Sequence, residues 1–200
     1  MMHKFFVFCV LLLQSWFLIA QNDSLPSKDT AAVKVFLIAG VDYGTIYDHN
    51  AFTLDINGGF EYHNVYFGGF GCSVINDIEV NQDTLYQNMQ MDLGYGGLIL
   101  GYDFFAEKSI HFFAGSQFGW GVVSLSQKKI ANKVEYMERI YYDNVFLVKP
   151  MAMIEFAITP HFTINAGGDY SFMNGLSSLK GFSNNDFKGI NYVLSLKYHL

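Results

Sequence analysis

The chain has 200 residues and a net charge of −6, with 51% hydrophobic, 18% aromatic and only 15% charged residues. A single arginine, Arg139, leaves no basic footprint for nucleic acid, and no stretch beyond the N-terminus has the unbroken apolar length of a spanning helix. Of the two cysteines, Cys9 falls in the N-terminal apolar run, so a processed chain keeps Cys72 alone and forms no internal disulfide.

Residues 1–20 read as a secretory signal peptide. Lys4 supplies the positive start, Phe5 to Ile19 an apolar run broken by Gln14 and Ser15, and Ala20 precedes the polar Gln21-Asn22-Asp23-Ser24. Residues 21–32, with Pro26, read as a short periplasmic leader. Residues 33–200 form one domain.

That domain alternates with a period of two, the strand signal. In the first strand Val33, Val35, Leu37, Ala39, Val41 and Tyr43 oppose Lys34, Phe36, Ile38, Gly40 and Asp42. In the second, Phe52, Leu54, Ile56, Gly58, Phe60 and Tyr62 oppose Thr53, Asp55, Asn57, Gly59, Glu61 and His63. A third strand over 65–75 is glycine-rich and leaves its facing open. A fourth, over 91–105, puts Leu98, Leu100, Tyr102 and Phe104 opposite Asp103. In the fifth, Ile110, Phe112, Ala114, Phe118, Trp120 and Val122 oppose His111, Gly115, Gln117, Gly119 and Gly121. In the sixth, Phe146, Val148, Ala152, Ile154, Phe156 and Ile158 oppose Lys149, Met151, Met153 and Glu155, with Pro150 marking a bulge or local distortion. In the seventh, Phe162, Ile164, Ala166, Gly168, Tyr170 and Phe172 oppose Thr163, Asn165, Gly167, Asp169 and Ser171. The eighth sets Ile190, Tyr192, Leu194, Leu196, Tyr198 and Leu200 against Asn191, Val193, Ser195, Lys197 and His199.

Short links at 63–64, 106–109 and 159–161 alternate with longer ones at 76–90, 126–144 and 174–187; the first link, at 48–50, is short. Eight alternating segments, aromatic strand ends and short periplasmic turns describe an all-β fold, an eight-stranded antiparallel up-and-down transmembrane β-barrel. Both termini fall on the periplasmic side, the bulky face looks into lipid, and the place is the outer membrane of a diderm (Gram-negative) bacterium. The rival is a secreted, soluble, lipocalin-like ligand carrier, which shares the period but turns its apolar face inward.

Eight strands enclose a space that side chains fill. Asp42, Asp55, Glu61, Asp103, Glu155 and Asp169 are therefore expected inside, partnered by Lys34, Lys149, Lys197 and histidines, with Gly59, Gly115, Gly119 and Gly167 making room and relieving curvature. A polar lumen position such as Ser195 is expected to take arginine better than lipid-facing Leu196.

The chain resembles the small eight-stranded outer-membrane barrels of the OmpA-like and OmpX-like class, and most of all an uncharacterised subgroup. The likeness rests on Gly94-Tyr95-Gly96-Gly97-Leu98-Ile99-Leu100, Gly167-Gly168-Asp169-Tyr170 and Gly181-Phe182-Ser183-Asn184-Asn185-Asp186-Phe187. It implies fold and location and brings no catalytic residues. The class usually ends in phenylalanine; this chain ends in Leu200.

A search for chemistry returns no catalytic, cofactor-binding or metal residue set, and no cofactor. Asp48-His49 is an adjacent acid–base pair on an outer link, the form a general base takes, but side-by-side loop residues are ordinarily solvated turn formers. Ser124 and Ser126 lack a histidine placed by sequence. Asp77, Glu79 and Asp83 lack calcium-loop spacing. In the third outer segment Lys128, Lys129 and Lys133 suit lipopolysaccharide phosphates, while Tyr136, Tyr141 and Tyr142 suit a contact surface; its alternation predicts a hairpin standing above the membrane. The expected role is structural or interactive rather than enzymatic, with outer-membrane lipids, lipopolysaccharide, the barrel-insertion machinery (through the last strand) and an envelope protein as partners. The alternatives are a narrow, porin-like channel for small or hydrophobic solutes and a lipid-modifying enzyme.

Overall fold

The computed structural model describes residues 33–82, 86–131, 134–179 and 181–200, with side chains described outside 81–88 and 128–136; the proposed signal peptide and leader, residues 1–32, lie outside the described residues. The elements are β1 (Lys34–Ile46), β2 (His49–Tyr62), β3 (Val65–Val74), β4 (Ile78–Gln82), β5 (Tyr86–Phe104), β6 (Ile110–Ala131), β7 (Val134–Ala157), β8 (Phe162–Asn174), a single 3-10 turn at Asn184–Phe187, and β9 (Gly189–His199). All pairings are antiparallel. β1 pairs with both β2 and β9, and β3 pairs with β5, so the hydrogen-bonded wall closes on itself. β3 and β4 lie successively along β5, giving eight wall positions from nine strands. Closure removes the free edges that a flat sheet of this length would expose.

The alternation expected from the sequence is the alternation observed. Along β1 exposed and buried residues alternate without a break from Val35 to Ile46. Leu37, Ile56, Phe60, Phe67, Leu98, Leu100, Ile154, Leu194 and Leu196 all lie on the outside. A soluble carrier needs these side chains inside; their outward facing overturns that rival. The six acids lie inside as expected, as do Lys149 and Lys197, while Lys34 reaches in only from the rim. The third strand's facing is resolved: Tyr66, Phe70 and Cys72 point inward.

Two local expectations, the 76–90 link and the place of the first outer turn, need correction. Residues 76–90 are not an open loop: β4 and the first turns of β5 form a hairpin that extends the wall upward. Its polar sequence hid an inward apolar row of Ile78, Val80, Met89 and Met91. At Pro150 the expected local distortion is present without a bulge: the β7–β8 ladder is interrupted between Val148↔Phe172 and Met151↔Asp169 and resumes in phase. The register shift in this region lies higher, at Leu125/Ser126 opposite Arg139 and Tyr141, leaving Ile140 as the extra residue of a bulge. The first outer link turns at Tyr47 and Asp48, with φ of 50° and 58°, and His63-Asn64 turns at 49° and 65°. Two successive positive φ values mark the tight hairpin turn that matches strand twist. The third outer segment is the hairpin its alternation predicted, with β6 and β7 paired up to Ala131↔Val134.

Candidate functional site: the filled lumen

Inward side chains stack in four layers, because each strand contributes one inward residue every second position. At the periplasmic end is an ionic layer from β1, β2, β3, β5, β6, β7 and β9. Lys197 donates to Tyr66 Oη at 2.9 Å and contacts Glu155. His111 Nε2 lies 2.9 Å from Glu155 Oε2 and 3.2 Å from Asp103 Oδ2, while its Nδ1 faces the Lys108 carbonyl at 3.0 Å. Glu155 is thus contacted by both His111 and Lys197, and Asp103 by His111. Nearer the rim, Glu61 is held by His199 at 3.1 Å and Lys34 at 3.7 Å.

Above it lies an apolar ring of Phe36, Ile38, Ile99, Phe113, Met151 and Met153. The Phe113 ring fills the space that Gly101 and Gly115 leave free, and Phe70 does the same at Gly119. At Gly59 and Gly167 the missing side chain instead lets neighbouring backbones approach. Of the four glycines expected to make room for side chains, Gly115 and Gly119 do so, while Gly59 and Gly167 admit backbone.

The third layer is ionic again. Lys149 Nζ sits 2.8 Å from Asp42 Oδ2, 3.0 Å from Asp169 Oδ2 and 3.4 Å from Tyr95 Oη. Gln117 donates to Asp55 at 3.0 Å and Asn57 at 2.9 Å, and the Cys72 thiol to Asp55 at 3.0 Å. Asn191 braces Asp169 and donates to Ser171 at 2.9 Å. Asp42 Oδ1 and Gln117 Oε1 have no protein partner. Beside them lie two cavities of about 20 Å³ each, both reaching Asp42. Each has room for about one water molecule, not for a solute column.

The fourth layer closes the extracellular end with apolar side chains, including Val80, Met91, Leu93, Leu125, Leu147, Met173, Leu179 and Phe187. The last two come from the segment between β8 and β9, which folds over the mouth. Asp143 on β7 latches it, accepting backbone N–H bonds from Ser177 at 2.9 Å, Ser178 at 2.8 Å and Leu179 at 3.0 Å. Burial raises the pKa of this carboxyl, but those bonds outweigh burial and hold it below the ordinary 3.8.

No family model matches the sequence, and no curated protein does. Solved structures do: Neisserial surface protein A matches with 13% identity and a TM-score of 0.55, over 85% of this chain and 99% of that one. The chain has the fold of a small outer-membrane β-barrel. Lower in similarity are Ail, the attachment invasion locus protein of Yersinia pestis (14% identity, TM-score 0.42, 84% and 97% coverage), and the N-terminal barrel domain of Pseudomonas aeruginosa OprF (12%, 0.41, 84% and 97%). Identity at this level conveys the fold and no residue roles.

The barrel scatters the residues that the sequence had raised for chemistry. Asp48 and His49 are exposed on the first outer turn, and the His49 ring stacks on Tyr47. Ser124 and Ser126 are buried, and Ser126 donates to Asp92 Oδ2 at 2.9 Å. Asp77 and Glu79 are exposed; Asp83 and Lys133 lie outside the described residues, as do the side chains of Lys128, Lys129 and Tyr136. Sequence reasoning missed one geometric cluster. Donor atoms of Asp103, His111 and Glu155 lie within 4.8 Å of one another, a spacing a metal would fit. The Lys197 ammonium already sits on the Glu155 oxygen a metal would need.

Proposed function

We propose that this outer-membrane β-barrel is a non-conducting, non-enzymatic element of the envelope of a diderm bacterium, working through its outer wall and its extracellular surface. The observation that carries this reading is the layered lumen: two ionic layers, an apolar ring between them and an apolar cap over the mouth. A barrel whose interior is fully committed to its own side chains offers solutes no route. The outer apolar belt supports lipid and lipopolysaccharide as the surrounding partners. The alternating last strand supports delivery by the barrel-insertion machinery. The hairpins standing above the belt support contact with an envelope or extracellular protein. Among the described residues, the exposed His49 has its ring stacked on Tyr47, which supports a role without catalysis. Planar-bilayer recording tests the reading: purified barrel should give no steps of conductance, and sustained single-channel openings would favour the narrow-channel alternative instead.

A further inference from the structure

Three carboxyl groups meet one ammonium group in the third lumen layer. Asp42, Asp55 and Asp169 are all buried, and Lys149 is paired with Asp42 and Asp169. Asp55 is held by neutral donors instead: the Asn57 amide, the Gln117 amide and the Cys72 thiol. The apolar ring lies beneath this layer and the apolar cap above it. A carboxylate in such surroundings is costly unless a cation or hydrogen bonds match it. One lysine carries the charge to match one carboxylate of the three.

One of the two cavities of about 20 Å³ opens inside this layer. Asp42, Asp55, Asn57, Gln117, Asp169 and Ser195 line it with oxygen-bearing side chains from β1, β2, β6, β8 and β9. Two of their oxygens, Asp42 Oδ1 and Gln117 Oε1, are buried without a hydrogen-bond partner. The Gln117 side chain, 1% exposed, is oriented by its own nitrogen, which donates to Asp55 at 3.0 Å and to Asn57 at 2.9 Å. Both amide hydrogens are thereby used, and the amide oxygen is left for the cavity. Buried polar atoms in native folds are nearly always matched. A water molecule would bring hydrogens to these oxygens but no charge to the carboxylates.

We propose that this cavity is a calcium site, with Asp42 Oδ1 and Gln117 Oε1 among the ligands and Asp55 and Asp169 supplying charge around it. Calcium takes about six to eight oxygens in flexible geometry, and accepts carboxylates, Asn and Gln carbonyls and water together. Magnesium keeps several waters of its shell, for which a cavity of this size has no room. A monovalent ion leaves one carboxylate unmatched, whereas a divalent ion answers the two that Lys149 does not. Bound here, calcium joins β1 to β6 across the lumen, as Lys149 joins β7 to β1 and β8. An ion held by the folded barrel and not by the unfolded chain stabilises the fold. The site adds to the filled-lumen reading a structural ion that this reading does not require.

The test is refolding of the full barrel from urea into zwitterionic detergent, with or without calcium chloride, followed by a chelator wash and elemental analysis of the protein. Native barrel refolded with calcium should retain about one ion per chain and unfold at higher urea than barrel refolded without it. Asp42→Asn should retain about tenfold less, because affinity follows ligand charge. Gln117→Met removes an oxygen and no charge, and should also retain less. Heat-dependent gel migration shows which variants are folded. No calcium above protein-free detergent would overturn the proposal, whatever the variants do. Equal retention by either folded variant would also overturn it, by assigning the ion to the surface. So would an infrared carbonyl band of a protonated carboxyl group that Asp42→Asn removes from calcium-treated barrel, which assigns the charge balance to protons. Conductance enters none of these measurements, so the filled-lumen reading stands or falls separately.

Discussion

Lys149 on β7 and Asp42 on β1, 107 residues apart in sequence, meet inside the barrel with Nζ 2.8 Å from Oδ2. They are 1% and 3% exposed, and Asp169 completes the group from β8. A lysine shared by two buried carboxylates ties three strands through the lumen. Removing one partner of a buried pair leaves an uncompensated charge, which costs about 3–5 kcal/mol. Lys149→Met should lower unfolding stability in urea by that order, and adding Asp42→Asn with Asp169→Asn should recover most of it. Equal stability of Lys149→Met and the native barrel would mean that the group is not ion-paired.

The outer wall and the lumen should both reject arginine, for different reasons. Leu196 faces hydrocarbon, where arginine costs about 2–4 kcal/mol near the midplane. Ser195 is expected from sequence to take arginine better than Leu196, but it is buried, accepts a hydrogen bond from Asn165 at 3.2 Å, and packs on Gly40 so closely that a Cβ there would lie 2.6 Å from its own. Assembly assayed by heat-dependent migration should fail for Leu196→Arg and for Ser195→Arg, while Ser195→Ala folds.

Two glycines should respond oppositely to the same change. A Cβ on Gly97 would run into the Phe118 carbonyl and sit 2.7 Å from Gly119 Cα, whereas one on Gly71 meets nothing within 4 Å. Gly71→Ala should be neutral or stabilising by about 0.5–1 kcal/mol through reduced unfolded-chain freedom. Gly97→Ala should weaken the β5–β6 ladder, seen as faster amide exchange along those strands.

The Asp143 latch should depend on pH in one direction. Its carboxyl is held below the ordinary 3.8, so its contribution is complete at neutral pH and above 3.8. It is lost only as pH falls through the lowered folded value. Limited proteolysis of the 175–188 segment should stay slow down to about pH 4 and quicken in stronger acid. Asp143→Asn should make cleavage fast at neutral pH. Identical cleavage of both proteins at pH 7 would remove the latch.

The wall of this barrel was legible because lipid imposes one simple demand, a bulky apolar residue at every second position, and β1, β2 and β9 meet it almost without exception. The layered lumen was legible in composition only. Sequence placed Asp42, Asp55, Asp103 and Lys149 inside, but not Lys149 against Asp42 rather than Glu61, because such partners are set by register and shear across distant strands. The β4–β5 hairpin was missed for a related reason. Above the membrane the outward face is free to be polar, so residues such as Glu79 and Gln90 masked a strand whose signal lay in the inward row of Ile78, Val80, Met89 and Met91. The bulge at Ile140 left no composition signal at all.

Which way the greasy face looks can be measured on one strand. With Cys72 replaced by serine, single spin labels at Val35, Phe36, Leu37, Ile38, Ala39 and Val41 in nanodiscs report contact with lipid-dissolved oxygen. Strong relaxation at Val35, Leu37, Ala39 and Val41 with weak relaxation at Phe36 and Ile38 is the predicted result; the reverse pattern, or none, would contradict an outward-facing apolar wall around a filled interior.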